Sequence, residues 1–196
     1  MTEPTNIYRL LPVEAPWGDC GTILTHGMSM HLDRQQGLIQ LERTGPSIAP
    51  ITFPGAGDIV VTQAFQLALE QSDLTGFSFK PVIKRRIVEL DWEEWDLTAD
   101  GPEEEPEDGE PENYVLARPH ETWVADELGI LMELILSPGM EARLDQDKVL
   151  RPRPETWNGA DLFYAAPGRI PYASKRARRW LQQHVGDYVE FRELKG

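Results

Sequence analysis

The segment from Glu89 to Glu112 limits what this chain can fold into more than any other part of it. It contains thirteen Asp and Glu residues and no Lys or Arg, so it accounts for nearly all of the formal net charge of −14. Carboxylates at this density repel one another and leave too little apolar surface to order the backbone. We predict that residues 97–113 form a mobile acidic loop between two folded parts of the chain.

The rest of the chain has the composition of a small globular protein. With 196 residues, 40% of them hydrophobic, it can bury one core, and we expect a single domain over residues 1–196. No apolar run reaches the roughly 18–20 residues of a membrane span, and the N-terminus lacks the pattern of a signal peptide. Cys20 is the single cysteine, which excludes an internal disulfide and favours a reducing compartment. We therefore expect a cytoplasmic protein without a membrane partner.

A strand–helix–strand pattern occurs twice along the chain. In each copy a hydroxyl residue that can cap a helix, Thr62 or Ser174, precedes the helix, and an alternating strand follows it. When the two caps are aligned, Phe79 falls on Phe191. The copies cover residues 58–90 and 161–194, and they begin with the apolar runs 58–61 and 161–164. Either the chain contains an internal repeat, or two short units of this kind align by chance.

These signals predict an α+β fold with a mixed or antiparallel sheet, two related strand–helix–strand units and the acidic loop between them. Three further assignments rest on less regular patterns. An apolar pattern that starts at Thr122 predicts a helix through Ile135, ending at Ser137-Pro138-Gly139. Residues 21–32 are assigned as extended, and residues 50–57, with two Pro and two Gly, are assigned as a loop.

Two tryptophans in the acidic segment make it a candidate binding surface. Trp is frequent among residues that anchor protein contacts, and flanking carboxylates speed the encounter with a basic partner. The predicted contact residues are Trp92, Glu93, Glu94, Trp95 and Asp96, and the residues predicted to steer the partner are Glu103, Glu104, Glu105 and Glu107. Leu90 and Trp92 alternate, however, so Trp92 can instead be a core residue at the end of a strand. A pI near 4.7 argues against nucleic acid as the partner.

The sequence contains no strong catalytic or metal-binding motif. Five residues have the spacing of an EF-hand loop, namely Asp96, Thr98, Asp100, Gly101 and Glu107. Thr98 is an unusual ligand, two prolines interrupt the loop and no helix pair flanks it. His26 and His31 are five residues apart, which does not place them on one helical face. We predict no metal, no cofactor and no catalytic residue; the alternative is an enzyme that uses paired carboxylates near Trp92.

Two groups of residues carry a family resemblance. They are Asp58-Ile-Val-Val-Thr, Leu74-Thr-Gly-Phe and Phe79-Lys-Pro-Val82, followed by Asp161-Leu-Phe, Ser174 and Phe191-Arg-Glu-Leu194. Together they resemble the immunity proteins of bacterial polymorphic toxin systems. The types that they resemble are "immunity eleven" and the related myxobacterial paralogues with a doubled CxxCG motif. This chain has only Cys20-Gly21 and no CxxCG pair, so a zinc-stabilised feature of the second type does not transfer.

The resemblance implies a small cytoplasmic α+β protein without enzymatic activity that binds a cognate toxin and blocks it. It transfers no site residue. A basic toxin fits the composition, because an acidic inhibitor can occupy the surface that nucleic acid would use. The predicted function is thus stoichiometric neutralisation of a toxin. The alternatives are the enzyme above and a scaffold or regulatory binding module, and the oligomeric state is open.

Overall fold

The computed structural model describes residues 6–29, 31–55 and 57–194. Its strands are β1 Ile7–Pro12, β2 Gln40–Gly45, β3 Ile51–Gly55, β4 Asp58–Thr62, β5 Phe77–Pro81, β6 Ile83–Glu89, β7 Leu131–Leu144, β8 Leu150–Arg153, β9 Leu162–Ala166, β10 Pro171–Ser174 and β11 Val189–Glu193. Its helices are α1 Asp19–His26, α2 Gln63–Glu70, α3 Asn113–Leu116, α4 Thr122–Glu127 and α5 Lys175–Val185. Strands pair in both parallel and antiparallel fashion, so the predicted α+β class with a mixed sheet is confirmed.

The described residues divide into two compact units. The terminal unit takes its residues from Met1–Val13, Leu67–Phe79 and Leu134–Gly196. The central unit takes its residues from Glu14–Gln66 and Lys80–Glu133. Within the described ranges, no helix combines the length and the apolar character needed to cross a bilayer.

The terminal unit is built around strand β1. This strand lies between β10 and β11 and is antiparallel to both, and β9 follows β10 on the far side. The second part of β7 pairs with β9 in parallel and with β8 in antiparallel fashion. Ile7, Phe163 and Tyr172 belong to its core. A Cβ atom at Gly139 would lie 2.5 Å from the Cβ atom of Phe163, so β7 can pass this ring only with glycine at that position.

The central unit combines a parallel strand pair with short antiparallel strands. Strand β2 pairs with β6 in parallel, and β4 is antiparallel to β3 and to the first residues of β7. Leu41, Val60 and Leu131 form one part of its core. In another part, Val124 of helix α4 and Leu128, which follows the helix, pack against Ile87 of β6.

The two strand–helix–strand units have the predicted helix caps and register. The Thr62 hydroxyl accepts a hydrogen bond from Phe65 N at 3.4 Å, and the Ser174 hydroxyl accepts one from Ala177 N at 3.1 Å. Strands β5 and β11 begin at the same distance from their caps. In the second copy, β1 lies between the two strands that flank the helix. In the first copy, Leu131 pairs with Thr62 on one side and accepts a hydrogen bond from Val82 N on the other. The two copies share this arrangement, and the internal repeat stays a prediction.

The start of the second copy differs from the prediction. Residues 161–164 lead into β9, which is a separate strand, and the strand that precedes the cap at Ser174 is β10. Strand β10 therefore corresponds to β4 in the repeat. An apolar run after an Asp is a common pattern, whereas the capping hydroxyl defines the register of the helix.

Three secondary-structure predictions were wrong. Helix α4 ends at Glu127, because Gly129 adopts a left-handed φ of 64° and the chain continues as strand β7 from Leu131. Residues 131–135 are apolar except for Glu133, in a pattern that fits a helix or a strand, and pairing with β4 favours the strand. Residues 19–26 form helix α1 instead of an extended segment, and residues 51–55 form strand β3 instead of a loop. Among the described strands β3 pairs with β4 alone, so it tolerates Pro54 at an edge.

The stability of the central unit should depend on pH through His26, a buried residue of α1. Burial and the nearby Arg43 lower the pKa of His26 to about 4. Below pH 6.5 the unfolded chain therefore binds more protons than the folded chain, and stability falls as the pH drops towards 4. At pH 5 this effect amounts to about 2 kcal/mol. We expect His26→Leu to remove it, as measured by urea unfolding at pH 7 and pH 5. His184→Gln, at an exposed histidine, is the control, and an unchanged pH dependence in His26→Leu would contradict the assignment.

Candidate functional site

The acidic segment, Glu89–Glu112, follows β6 and leads into α3 through a series of tight turns. It begins with a 3-10 turn at Trp92–Glu94 and has a second one at Glu107–Gly109. Pro102, Pro106 and Pro111 fix the backbone φ along its course, and a run of this kind favours turns over helix or strand. The segment lies within the central unit.

Trp92 lies inside the protein and is not an exposed anchor. Its exposed fraction is 8%, and it packs in one cluster with Leu24, Val88 and Tyr114 among others. The alternation with Leu90 indicated this position, because β6 ends just before it and keeps one face in the core. Trp92 is therefore a core residue, which corrects its assignment to the contact surface.

The side chain of Trp95 is partly exposed, so part of its ring can contact another protein. It is half-buried, and its ring centroid lies 5.9 Å from that of Trp17 and 6.3 Å from that of Tyr114. Trp17 is also half-buried. The three rings form an aromatic cluster beside the carboxylates, so the surface combines apolar area with negative charge.

Hydrogen bonds attach the acidic segment to its surroundings at several points. Trp17 Nε1 donates to Ala99 O at 3.0 Å, and the Tyr114 hydroxyl donates to Glu104 O at 2.6 Å. Within the segment, Asp96 N donates to Glu103 Oε1 at 2.9 Å. Pro106 is buried. The segment is thus a folded surface with defined turns, and the predicted mobility of residues 97–113 stays a prediction.

All thirteen carboxylates of the acidic segment are exposed. Among the residues that the structure describes, only Glu104 has a basic side chain within ion-pair distance, namely that of Arg118. The predicted residues Glu93, Glu94, Asp96, Glu103, Glu105 and Glu107 are therefore exposed without such a partner. Their charge is open to solvent and to any protein that approaches.

The negative charge is confined to one unit of the protein. The central unit contains 22 acidic and seven basic residues, whereas the terminal unit contains 11 acidic and 12 basic residues. The terminal unit is thus nearly neutral. An approaching cation meets a strong attractive potential only at the central unit, since surface potentials sum over nearby charges.

A cavity of about 330 Å³ opens between the end of the acidic segment and helix α3. It is lined by Glu104, Glu105, Pro106, Glu107, Asn113, Tyr114, Ala117 and Arg118. Three of these eight are carboxylate residues that the sequence predicted to steer the partner. Arg118 neutralises Glu104, so Glu105 and Glu107 remain to bind a cation. None of the residues 92–96 lines this cavity.

The titration behaviour of the surface groups follows from their neighbours. Glu93 is exposed as a residue, but partial desolvation by its neighbours raises its pKa, and Arg43 opposes this effect. Hydrogen bonds from Thr98 lower the pKa of Asp96. Burial and the charge of Glu105 raise the pKa of the Cys20 thiol, which makes the thiol a poorer nucleophile at neutral pH. Across the described ranges, no three His, Cys, Asp or Glu side chains are grouped so that they could hold a metal ion.

An ionic network around two buried carboxylates of the central unit was not predicted from the sequence. Arg34 donates to both carboxylate oxygens of Glu133 and to Asp58 Oδ1, each at 2.8 Å, and Ser29 donates to Asp58 Oδ2 at 3.0 Å. Glu133 and Asp58 are buried, with exposed fractions of 1% and 6%. A charged residue inside the apolar run of β7 was the only sequence signal for it. The Arg34 cation offsets part of the charge of the two buried carboxylates and joins the segment around Arg34 to β4 and β7.

A second buried carboxylate, Glu42 of β2, lies between two basic side chains. His31 Nε2 lies 2.7 Å from Glu42 Oε2, and Arg86 Nε lies 3.5 Å from Glu42 Oε1. His31 is therefore a partner of a buried carboxylate, and His26 lies buried elsewhere, against Phe53. The two histidines do not converge on one site, in agreement with their spacing.

Comparison of the chain with protein families, with curated proteins and with solved structures found no match. The resemblance to immunity proteins therefore stays a prediction, and the function is argued from the residues of this chain.

Replacement of Arg34 should destabilise the protein. In Arg34→Met the buried carboxylates of Asp58 and Glu133 lose their shared cation, and removal of one partner of a buried pair costs about 3–5 kcal/mol. We expect about 2–3 kcal/mol in urea unfolding, because the Arg34 side chain is 35% exposed and water can reach the carboxylates. Arg85→Met, at an exposed position of β6, is the control. A loss below about 0.5 kcal/mol would show that the network does not stabilise the fold.

Hydrogen exchange can test whether the acidic segment is anchored. Tyr114→Phe removes the hydrogen bond to Glu104 O while the ring stays in the core. We expect faster exchange of the Gly109 and Asn113 amides, whose hydrogen bonds lie within the turns next to this contact. Tyr188→Phe, at an exposed tyrosine, should change nothing in this segment. If these amides are unprotected in the unaltered chain, the segment is the mobile loop that its composition predicts.

Proposed function

We propose that this chain is an immunity protein of the cytoplasm that binds a basic toxin protein and neutralises it by stoichiometric contact. One observation is the main support for this function: thirteen exposed carboxylates in one segment, of which only Glu104 has an ion-pair partner among the described residues. Charge that the molecule leaves uncompensated on its surface is available to a partner of opposite charge.

Electrostatic complementarity explains how such a surface would act. Opposite potentials raise association rates by about 10- to 1,000-fold, and salt weakens the effect because it screens charges beyond about 8–10 Å. An inhibitor must reach its toxin before the toxin reaches its substrate. A fast encounter is therefore a property that selection for toxin neutralisation favours.

The cavity and the aromatic cluster supply the short-range part of the contact. The volume of about 330 Å³ can accept one long basic side chain, and Glu105 and Glu107 would bind its charged end. The half-buried rings of Trp17 and Trp95 offer apolar area and a π-face to a second cation. Contacts of this kind determine the dissociation rate, whereas the surrounding carboxylates determine the association rate.

The geometry of the carboxylates favours binding over catalysis. A general acid needs a raised pKa and a site that holds substrate next to it. Glu93 has a raised pKa, but it is exposed and does not line the cavity. The paired acids near Trp92 are exposed, whereas a glycosidase-like site holds its substrate between its two carboxylates.

Charge reversal within the acidic segment tests the proposed function. The chain is isolated with its partner from the native host, and association with the purified partner is then measured at 50 mM and 500 mM salt. We expect the variant Glu93→Lys, Glu94→Lys, Asp96→Lys to associate at least tenfold more slowly at 50 mM salt and to respond less to salt. A matched control reverses three exposed acids of the same unit outside the segment, Glu14, Asp33 and Glu127.

Two results would contradict the proposal. Equal association rates in the variant and the control would remove the acidic segment from the binding mechanism. A partner without toxic activity, or a toxin whose activity persists in the complex, would favour the regulatory binding module instead.

A further inference from the structure

Strand β11 forms a free edge of the terminal unit. It pairs with β1 on one side, from Tyr8↔Glu193 to Pro12↔Val189, and within the described residues it pairs with no other strand. An edge strand presents a row of backbone donors and acceptors that another strand can use. The edge is five residues long, with the sequence Val-Glu-Phe-Arg-Glu.

The hydrogen bonds to β1 define which residues of β11 face outward. Leu194 N donates to Ile7 O at 2.9 Å and Val13 N donates to Tyr188 O at 3.4 Å, so the even-numbered residues of this stretch bond to β1. In an antiparallel pair the bonded residues alternate with residues whose N–H and C=O groups point away. The backbone groups of Val189, Phe191 and Glu193 therefore point to the free edge. Pro12, which has no N–H, lies opposite Val189 at a position where β1 needs no donor.

Two copies of β11 can pair in only a few antiparallel registers. Residues whose N–H and C=O groups point to the free edge must lie opposite residues of the same kind in the other copy, because only these groups can form the hydrogen bonds. In the register centred on Phe191, Glu190 of each copy lies directly opposite Arg192 of the other. A shift by two residues in one direction places Glu190 opposite Glu190, and a shift in the other direction places Arg192 opposite Arg192. Like charges directly opposite each other destabilise a strand pair, and opposite charges stabilise it. The order of the charges thus selects the centred register.

Within one copy, Arg192 lies beside another arginine and forms no ion pair with a described residue. Arg9 of β1 lies directly opposite Arg192, and among the described residues neither arginine forms an ion pair. This like-charge pair is unfavourable in a single copy. In the centred register, Glu190 of the second copy lies next to Arg192 on the same face of the sheet. Side chains approach most closely at such non-hydrogen-bonded positions.

We propose that β11 pairs in antiparallel fashion with β11 of a second copy of this chain, centred on Phe191, and that the protein is a dimer through this edge. The backbone groups of Val189, Phe191 and Glu193 bond across the interface. The two Phe191 rings lie opposite each other on the face that carries α5, where Arg178 already lies 6.0 Å from the ring centroid. The pairing does not depend on the proposed function, because it uses residues of the terminal unit alone.

Sedimentation velocity of the full chain from 5 to 500 μM tests the dimer, with three charge variants. We expect the unaltered chain to dimerise within this range. In the dimer, residue 190 of each copy lies opposite residue 192 of the other, so each pairing occurs twice. Glu190→Arg and Arg192→Glu each create like charges at both places, and we expect each variant to weaken dimerisation by on the order of tenfold. An equimolar mixture of the two variants restores opposite charges at both positions, and we expect it to form a mixed dimer with about the original affinity.

Arg179→Glu is the matched control, since Arg179 is an exposed residue of α5 and the change in charge is the same as in Arg192→Glu. We expect it to dimerise like the unaltered chain. Circular dichroism confirms that each variant is folded. A monomer at all concentrations would overturn the proposal. Single variants that dimerise like the unaltered chain, or a mixture that stays monomeric, would also overturn it.

Discussion

The burial of Trp92 and Tyr114 is the interaction on which the acidic surface depends. Trp92 lies near the start of the acidic segment and Tyr114 lies two residues after its end, and both pack in the same core cluster. The segment between them carries eleven of the thirteen carboxylates and buries almost nothing itself. The two aromatic residues thus anchor both ends of a segment that has too little apolar surface to fold by itself. Without them the same charges would belong to a flexible internal loop, which orders only at a cost in entropy when it binds.

Local signals allowed much of the fold to be predicted. Caps at Thr62 and Ser174 defined two helices and the strands after them, because a hydroxyl at a helix start acts within one turn of the chain. The prediction of a helix from Thr122 was wrong from Leu131 onward, where the apolar pattern fits a helix or a strand. There the choice depends on β4, whose Thr62 is distant in sequence, and no pattern within residues 122–135 reports such a partner.

The candidate site was predictable in its charge but not in its geometry. The exposed carboxylates followed from composition, since residues of one sign in a dense run remain in solvent. The cavity depends on how Glu105 and Glu107 face Tyr114 and Arg118 across several turns, and the sequence contains no periodic signal for that. The network around Arg34 was unpredictable for a related reason. Its partners, Asp58 and Glu133, are 24 and 99 residues away along the chain.

Charge has different physical roles in the two units of this protein. In the acidic segment the number of charges matters, because many uncompensated carboxylates add to a field that reaches a partner before contact. At β11 the order of the charges matters. The charges of Glu190 and Arg192 cancel at distances of more than a few ångströms, so only a strand that pairs with β11 can distinguish their order. A single exposed ion pair contributes at most about 1 kcal/mol, so the value of this pair lies in selecting one register among several. In the two proposals, the central unit attracts a basic partner from a distance, and the terminal unit recognises a second copy of the chain through the order of its charges.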